Sequence, residues 1–191
     1  MNDIAYIYLK DVAEINFILS TAKPNEEEAL QWITASHLLP ENRIIPNFDI
    51  KPGVKDTVNK VCKNDILIKR ISPIYVNYID VNYEDVYAYN NLIIIRPNSA
   101  IDSKYLACII NQQIEKLSVR TSVGAVIPSL GKNELGALKV PNLSGKEQKK
   151  IGALWYLGME KKKCFERFAE LQNIKDSYVL SKYIAEKTGG N

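Results

Sequence analysis

Cysteine, histidine and long apolar runs are all scarce in this chain. Its 191 residues include three cysteines, Cys62, Cys108 and Cys164, odd in number and far apart. That pattern excludes a disulfide framework as the organising device and fits a reduced, cytoplasmic setting. The single histidine, His37, has no Cys or His at ligand spacing, so it reads as a surface histidine and not a metal ligand. No stretch approaches the ~20 apolar residues of a membrane span, and no membrane association is expected. The opening Met1-Asn2-Asp3-Ile4 lacks the basic and apolar regions of a signal peptide. Glycine-rich phosphate loops, G-x-G-x-x-G and H-E-x-x-H are missing too, as is an Asn-Pro-Pro-aromatic methyltransferase tetrad. Glu160-Lys161-Lys162 looks like the tail of a nuclease motif, but without an upstream Pro-Asp it reads as a solvated helix face. Lysines flank Cys62 and Cys164, yet no His stands nearby to activate either thiol. The chain reads as non-catalytic.

What is present is ordinary in amount and uneven in placement. The apolar fraction is 46% and the charged fraction 25%, values of a soluble globular chain. Residues 146–191 hold ten Lys and Arg against six Asp and Glu, a net of +4, whereas residues 1–145 carry fifteen against sixteen, a net of −1. A near-neutral body therefore precedes a basic C-terminal segment. Neither has the dense basic stripe that announces nucleic acid by charge alone.

The body reads as strands with few helices. Tyr6–Ile18 is a strand, or a short helix leading into one. Lys23–Glu28 is either a helix start or an acidic loop. Leu30–Thr34 is a short strand, Ser36–Pro46 a loop with one helical turn, and Lys51-Pro52-Gly53 a turn. Asn64-Asp65 feeds a β-rich run through Ile71, and Tyr75–Val81 alternates as a strand should. Val86–Tyr89 is a further candidate strand. The continuous run Leu92–Ile95 predicts a strand buried on both faces. Ser103 is the candidate N-cap of a helix over Lys104–Lys116, with its apolar stripe on Leu106, Ala107, Ile109, Ile110, Ile114 and Leu117. Leu138–Pro141 reads as a last strand.

From Lys146 to Lys187 there is no proline, and Ser144 with Glu147 forms a capping-box signal. The apolar positions Ile151, Leu154, Trp155, Phe165, Phe168, Leu171, Ile174 and Tyr178 fall on one helix face. About 40 residues at 1.5 Å each make a rod of ~60 Å, more than the body needs to cover its own core. Part of that face is expected to meet another helix. The expected architecture is α+β: a mixed-sheet domain over 1–144, a long helix over 145–187 that pairs as a coiled coil, and a disordered tail over 188–191.

Polar and aromatic loops are the candidate contact points. Lys69–Tyr78 offers cations, an amide and rings near a strand end, residue types that touch base edges and phosphates. A strand with one solvated face accounts for them equally well. Arg120-Thr121-Ser122, just before Gly124, is similar in character.

The order of these features resembles one half of the specificity subunit of type I restriction–modification systems. Leu9–Ile15 is similar to the start of that family's target recognition domain. Val61–Ile68 resembles its V-x-x-G-D-I-L stretch, with Asn64 where Gly is usual. Leu92–Pro97 and Ser103–Leu106 match its buried strand and the helix after it. Val123–Leu130, Leu135–Pro141 and Glu147–Ile151 resemble its G-x-x-I-P-x-L … L-x-x-L-x-I-P … E-Q-x-K-I passage.

The resemblance implies a double-stranded DNA reader that holds methyltransferase (modification) and restriction subunits on their target. Chosen by loop position and chemistry, the expected base or backbone contacts are Arg43, Lys69, Arg70, Ser72, Tyr75, Asn77 and Arg120. No cofactor is implied for this chain: S-adenosylmethionine, ATP and Mg would belong to the partner subunits. One recognition domain and one helix make about half of a full subunit. A homodimer, or pairing with another specificity chain, through the Ile151–Tyr178 stripe would read two half-sites in inverted orientation. A protein-interaction adaptor with a coiled-coil stalk, a recognition domain detached from a fused methyltransferase–endonuclease, and a decoy subunit are the competing readings.

Overall fold

The computed structural model describes residues 5–18, 28–120 and 130–188, less the side chains of 115–120. The chain divides into two units, residues 1–156 and 157–191. The first begins with β1 (Tyr6–Tyr8), the single turn α1 (Leu9–Val12) and β2 (Ala13–Phe17). Then come β3 (Glu28–Ile33), β4 (Leu38–Leu39), β5 (Arg43–Ile44), β6 (Asp49–Gly53), β7 (Ile66–Lys69), β8 (Val76–Tyr78), β9 (Val86–Ala88) and β10 (Leu92–Pro97). α2 (Ser103–Arg120), α3 (Lys132–Gly136), β11 (Lys139–Pro141) and α4 (Gly145–Thr188) complete the described order, an α+β architecture.

A four-stranded antiparallel sheet in the order β2-β10-β7-β8 forms the centre. β10 lies inside it, and Leu92–Ile95 are fully buried, as a continuous apolar run requires. Successive side chains face opposite ways, so the sheet separates two cores. Ile93 and Ile95 join Ile66, Ile68 and the α2 residues Tyr105, Leu106, Ile110 and Ile114. Leu92 and Ile94 join Leu67, Ile33, Leu38 and Val86. The second core is closed by a three-stranded sheet, β6-β3-β9, in which β3 and β9 run parallel.

Asp65 and Arg96 fix the register of this arrangement. Arg96 Nε and Nη2 each donate to the Asp65 carboxylate at 2.9 Å. The Cys62 amide donates to the same carboxylate at 2.9 Å, and Arg96 Nη2 also reaches the Lys60 carbonyl at 2.8 Å. The Asp65 side chain is 2% exposed. The bridge ties the end of β10 to the turn that launches β7. In that turn Asn64 takes φ 75°, a left-handed conformation that Gly adopts freely and Asn tolerates.

Three local expectations are corrected. Lys51-Pro52-Gly53 is not a turn but the end of β6, the outermost strand of its sheet, where a missing proline N–H does no harm. Ser36–Pro46 holds no helical turn but the hairpin β4–β5, closed by Glu41 and Asn42 at φ 56° each, with the Arg43 amide donating to the Pro40 carbonyl at 3.2 Å. The cap of α2 is Asp102 and not Ser103, since Asp102 Oδ1 accepts from the Tyr105 amide at 2.9 Å.

α4 starts where Ser144 and Glu147 predict. Ser144 N donates to Glu147 Oε2 at 3.0 Å, and Glu147 N to Ser144 Oγ at 3.4 Å. Buried Gln148 donates to the Leu143 carbonyl and accepts from the Asp102 amide, each at 2.9 Å. At Gly152 a Cβ would fall 2.6 Å from the Tyr105 nitrogen, so only glycine lets α4 approach the start of α2. Ile151, Trp155 and Tyr156 pack on the first core. Ile151 and Trp155, expected to face a partner, are partly buried and also cover this body's own apolar surface.

The second unit continues α4 from Leu157. Its 44 residues give about 66 Å of helix. Leu154, Leu157, Phe165, Phe168, Leu171, Ile174 and Tyr178 are all at least 49% exposed, as are Val179, Leu180, Tyr183 and Ile184.

Two stability predictions follow from these contacts. Asp65→Asn removes the carboxylate from a bridge whose Arg96 side chain is 30% exposed and should cost about 1–3 kcal/mol in urea unfolding. Asp65→Asn with wild-type stability would remove the bridge from its place in the fold. Tyr105, fully buried, donates to the Pro141 carbonyl at 2.7 Å, and burial pushes its hydroxyl up to about 12. A raised folded-state value leaves stability intact below pH ~10 and removes it as pH rises towards 12. Thermal unfolding at pH 9 to 11.5 should show Tyr105→Phe losing less stability with pH than the wild type does.

Candidate nucleic-acid interface

The turn from β7 to β8 gathers four of the expected contact residues. Lys69 closes β7, Arg70 follows it, and Ser72-Pro73 makes a cis peptide before Tyr75 leads into β8. The Lys69 amide donates to the Tyr75 carbonyl at 3.0 Å, and the Lys69 ammonium sits 5.2 Å from the Tyr75 ring centre. The Arg70 guanidinium lies over the Phe17 ring at 5.6 Å. Its Nε finds no hydrogen-bond partner among the described residues. Ser72 is exposed. A stiff antiparallel pair thus presents two cations, a hydroxyl and a ring at one end of the central sheet.

Neighbouring cations are spent on carboxylates. Lys51 pairs with Asp49, Lys55 with Glu28 and Lys60 with Asp85, at 2.8–2.9 Å. Those hydrogen bonds hold the three lysines above the usual lysine range, and they hold Asp49 and Asp85 below the usual carboxylate range. Lys69 and Arg70 have no ion pair among the described residues. They are available to an external anion.

The other expected residues lie elsewhere. Asn77 is fully buried, and its amide donates to the Leu39 carbonyl at 3.0 Å and the Arg43 carbonyl at 3.1 Å. It braces the β4–β5 hairpin against β8 from inside the protein. Arg43 is half-buried in that hairpin. Arg120 ends α2, and its side chain lies outside the described residues, as does Val123–Ser129 of the motif passage.

His37 is not the surface residue its loop setting suggests. It is 5% exposed, accepts at Nδ1 from the Thr34 amide at 3.1 Å, and donates from Nε2 to the Asn47 carbonyl at 3.0 Å. Thr34 Oγ1 also lies 2.8 Å from Nδ1, and the surrounding polar sequence hid this role because Asn47 is ten residues away. Among the described residues no cluster of His, Cys, Asp or Glu could hold a metal, and no helix is long and apolar enough to cross a membrane.

Residues 1–154 match the profile of the type I restriction modification DNA specificity domain. The chain belongs to that family. Solved structures agree at the level of fold. The specificity subunit of a type I system from M. genitalium aligns with a TM-score of 0.56 and 17% identity, covering 92% of this chain and 44% of that one. The HsdS subunit from Thermoanaerobacter tengcongensis gives 0.64 and 17%, over 93% of this chain and 44% of that one. A structure concerned with complex assembly and conformational transition of the type I system gives 0.64 and 16%, over 93% and 45%. This chain therefore spans less than half the length of each. No curated protein matches at a significant level.

Within a specificity domain, the internal role of Asn77 is directly testable. Asn77→Ala should lower stability by about 1–3 kcal/mol and speed hydrogen exchange at residues 38–44. Wild-type stability with weakened DNA binding would instead make Asn77 a contact residue.

Proposed function

We propose that this chain is the sequence-reading part of a type I restriction–modification system: a non-catalytic module that binds duplex DNA and positions modification and restriction subunits on it. The membership of residues 1–154 in the DNA specificity domain family carries the reading. The exposed β7–β8 turn supports it with suitable chemistry. In this reading Lys69 and Arg70 meet phosphates or guanine edges, and Ser72 and Tyr75 complete the contact. Asn77 braces β8, the strand that this turn enters, from inside the protein. S-adenosylmethionine, ATP and Mg act in the partner subunits.

The second half of the proposal concerns α4. A lone helix with this much exposed apolar surface needs a partner. Pairing of two copies through Leu154, Phe165, Phe168, Leu171, Ile174 and Tyr178 would bury that surface. Two identical modules would then read an inverted repeat. A different specificity chain could fill the same role.

Selection from a random duplex library tests the reading. The expected result is enrichment of a defined sequence, with retention falling steeply as salt rises. Arg70→Met should cost roughly 1–3 kcal/mol and relax preference at one base pair, if Arg70 reads guanine. Sedimentation should show a dimer at micromolar concentration that Phe168→Glu with Ile174→Glu converts to monomer. Retention without sequence preference, or none at all, would favour the adaptor reading.

A further inference from the structure

The opposite end of β7 carries a second cationic site. A cleft of about 630 Å³ opens between the turn before β7, the start of α2 and the first turns of α4. Lys63, Lys104 and Lys149 line it, one from each of these three elements. None of the three has an ion pair among the described residues, unlike Lys51, Lys55 and Lys60.

Lys104 is held in place without being neutralised. Its ammonium sits 4.0 Å from the Tyr156 ring centre and 5.8 Å from that of Tyr78. The two rings meet edge-on at 5.8 Å. Each is anchored by its hydroxyl: Tyr78 donates to Asn64 Oδ1 at 2.6 Å, and Tyr156 donates to Asp80. The nearby carboxylates each accept a hydrogen bond from a neutral donor, Asp80 from Tyr156 and Asp102 from the Tyr105 amide, which does not cancel their charge, so three lysines stand against two carboxylates. A cation fixed by aromatic faces binds an incoming anion with little ordering cost.

We propose that this cleft takes a phosphate of the duplex whose bases the β7–β8 turn reads. The inference rests on the DNA-reading function proposed above. Lys63 and Lys69, at the two cationic ends, are six positions apart, at most about 20 Å of extended chain. Duplex DNA carries a backbone charge every ~1.7 Å of its axis, so a duplex that meets the turn also offers phosphates to the lysines.

The test uses the full chain and the duplex that the wild-type protein selects, with affinity measured between 50 and 200 mM salt. Each phosphate contact contributes about 0.9 to the slope of log affinity against log salt. Lys63→Gln with Lys149→Gln should lower the slope by up to about 0.9, the contribution of the one phosphate, and adding Lys104→Met should complete that loss without exceeding it. Base preference should stay unchanged. The double variant alters only exposed side chains, so its result stands even if Lys104→Met destabilises the protein. Wild-type slopes in the double variant overturn the cleft assignment, as does a variant that keeps its DNA affinity but no longer captures the modification subunit. If the wild-type protein itself retains no duplex, the DNA-reading function fails first and the cleft assignment falls with it.

Discussion

The body depends on one ion pair, a buried carboxylate and a half-buried guanidinium, holding one strand register. β10 is apolar at every position from Leu92 to Ile95, so its sequence does not say which residues face which core. A slip by one residue would exchange the two sets. The Asp65–Arg96 bridge removes that freedom, because Arg96 reaches the Asp65 carboxylate in only one alignment of β10 with β7, the one that sets Ile95 opposite Ile66. Burying a carboxylate is costly unless its oxygens are satisfied. Here both accept from Arg96, and the Cys62 amide adds a further bond. The bridge contributes specificity of pairing more than net stability.

The same constraint explains a departure from the family pattern. Holding the Asp65 carboxylate under Arg96 requires the preceding residue to turn left-handed, which suits the glycine usual in this stretch. Asn64 achieves the turn at φ 75°, and its side chain then anchors Tyr78. One substitution therefore links the register-setting turn to the ring that holds Lys104.

Sequence patterning was informative where periodicity or capping carried the signal. The doubly buried β10, the helix after it, the Ser144–Glu147 cap and the long α4 all rest on local chemistry. Contacts far apart in sequence were not legible. Arg96 and Asp65 are 31 residues apart, and Asn77 reaches Leu39 across 38. Lys51-Pro52-Gly53 misled because turn chemistry and edge-strand chemistry use the same residues, and only the sheet order separates them. His37 misled because a polar loop folds over it, with the Asn47 carbonyl reaching it from ten residues away. The candidate site shares this split. Lys69, Arg70, Ser72 and Tyr75 are close in sequence and come together, whereas Lys63, Lys104 and Lys149 are assembled only by the fold.

The root of α4 shows why a specificity domain would spend so many groups on one junction. Glu147 closes the cap, Gln148 bridges the Leu143 carbonyl and the Asp102 amide, Ile151 enters the core, and Gly152 gives up its side chain to let α2 come near. They fall on two successive turns of the helix start, so the helix can neither rotate nor slide there without breaking several contacts together. Asp102 is shared, since it caps α2 with its carboxylate and binds Gln148 with its amide. The start of α2, the start of α4 and the lysine cleft between them therefore move as one piece. Under the proposed function that rigidity would keep phosphate and base contacts in a fixed relation, and Glu147, Gln148 and Ile151 supply it through hydrogen bonds and one apolar contact.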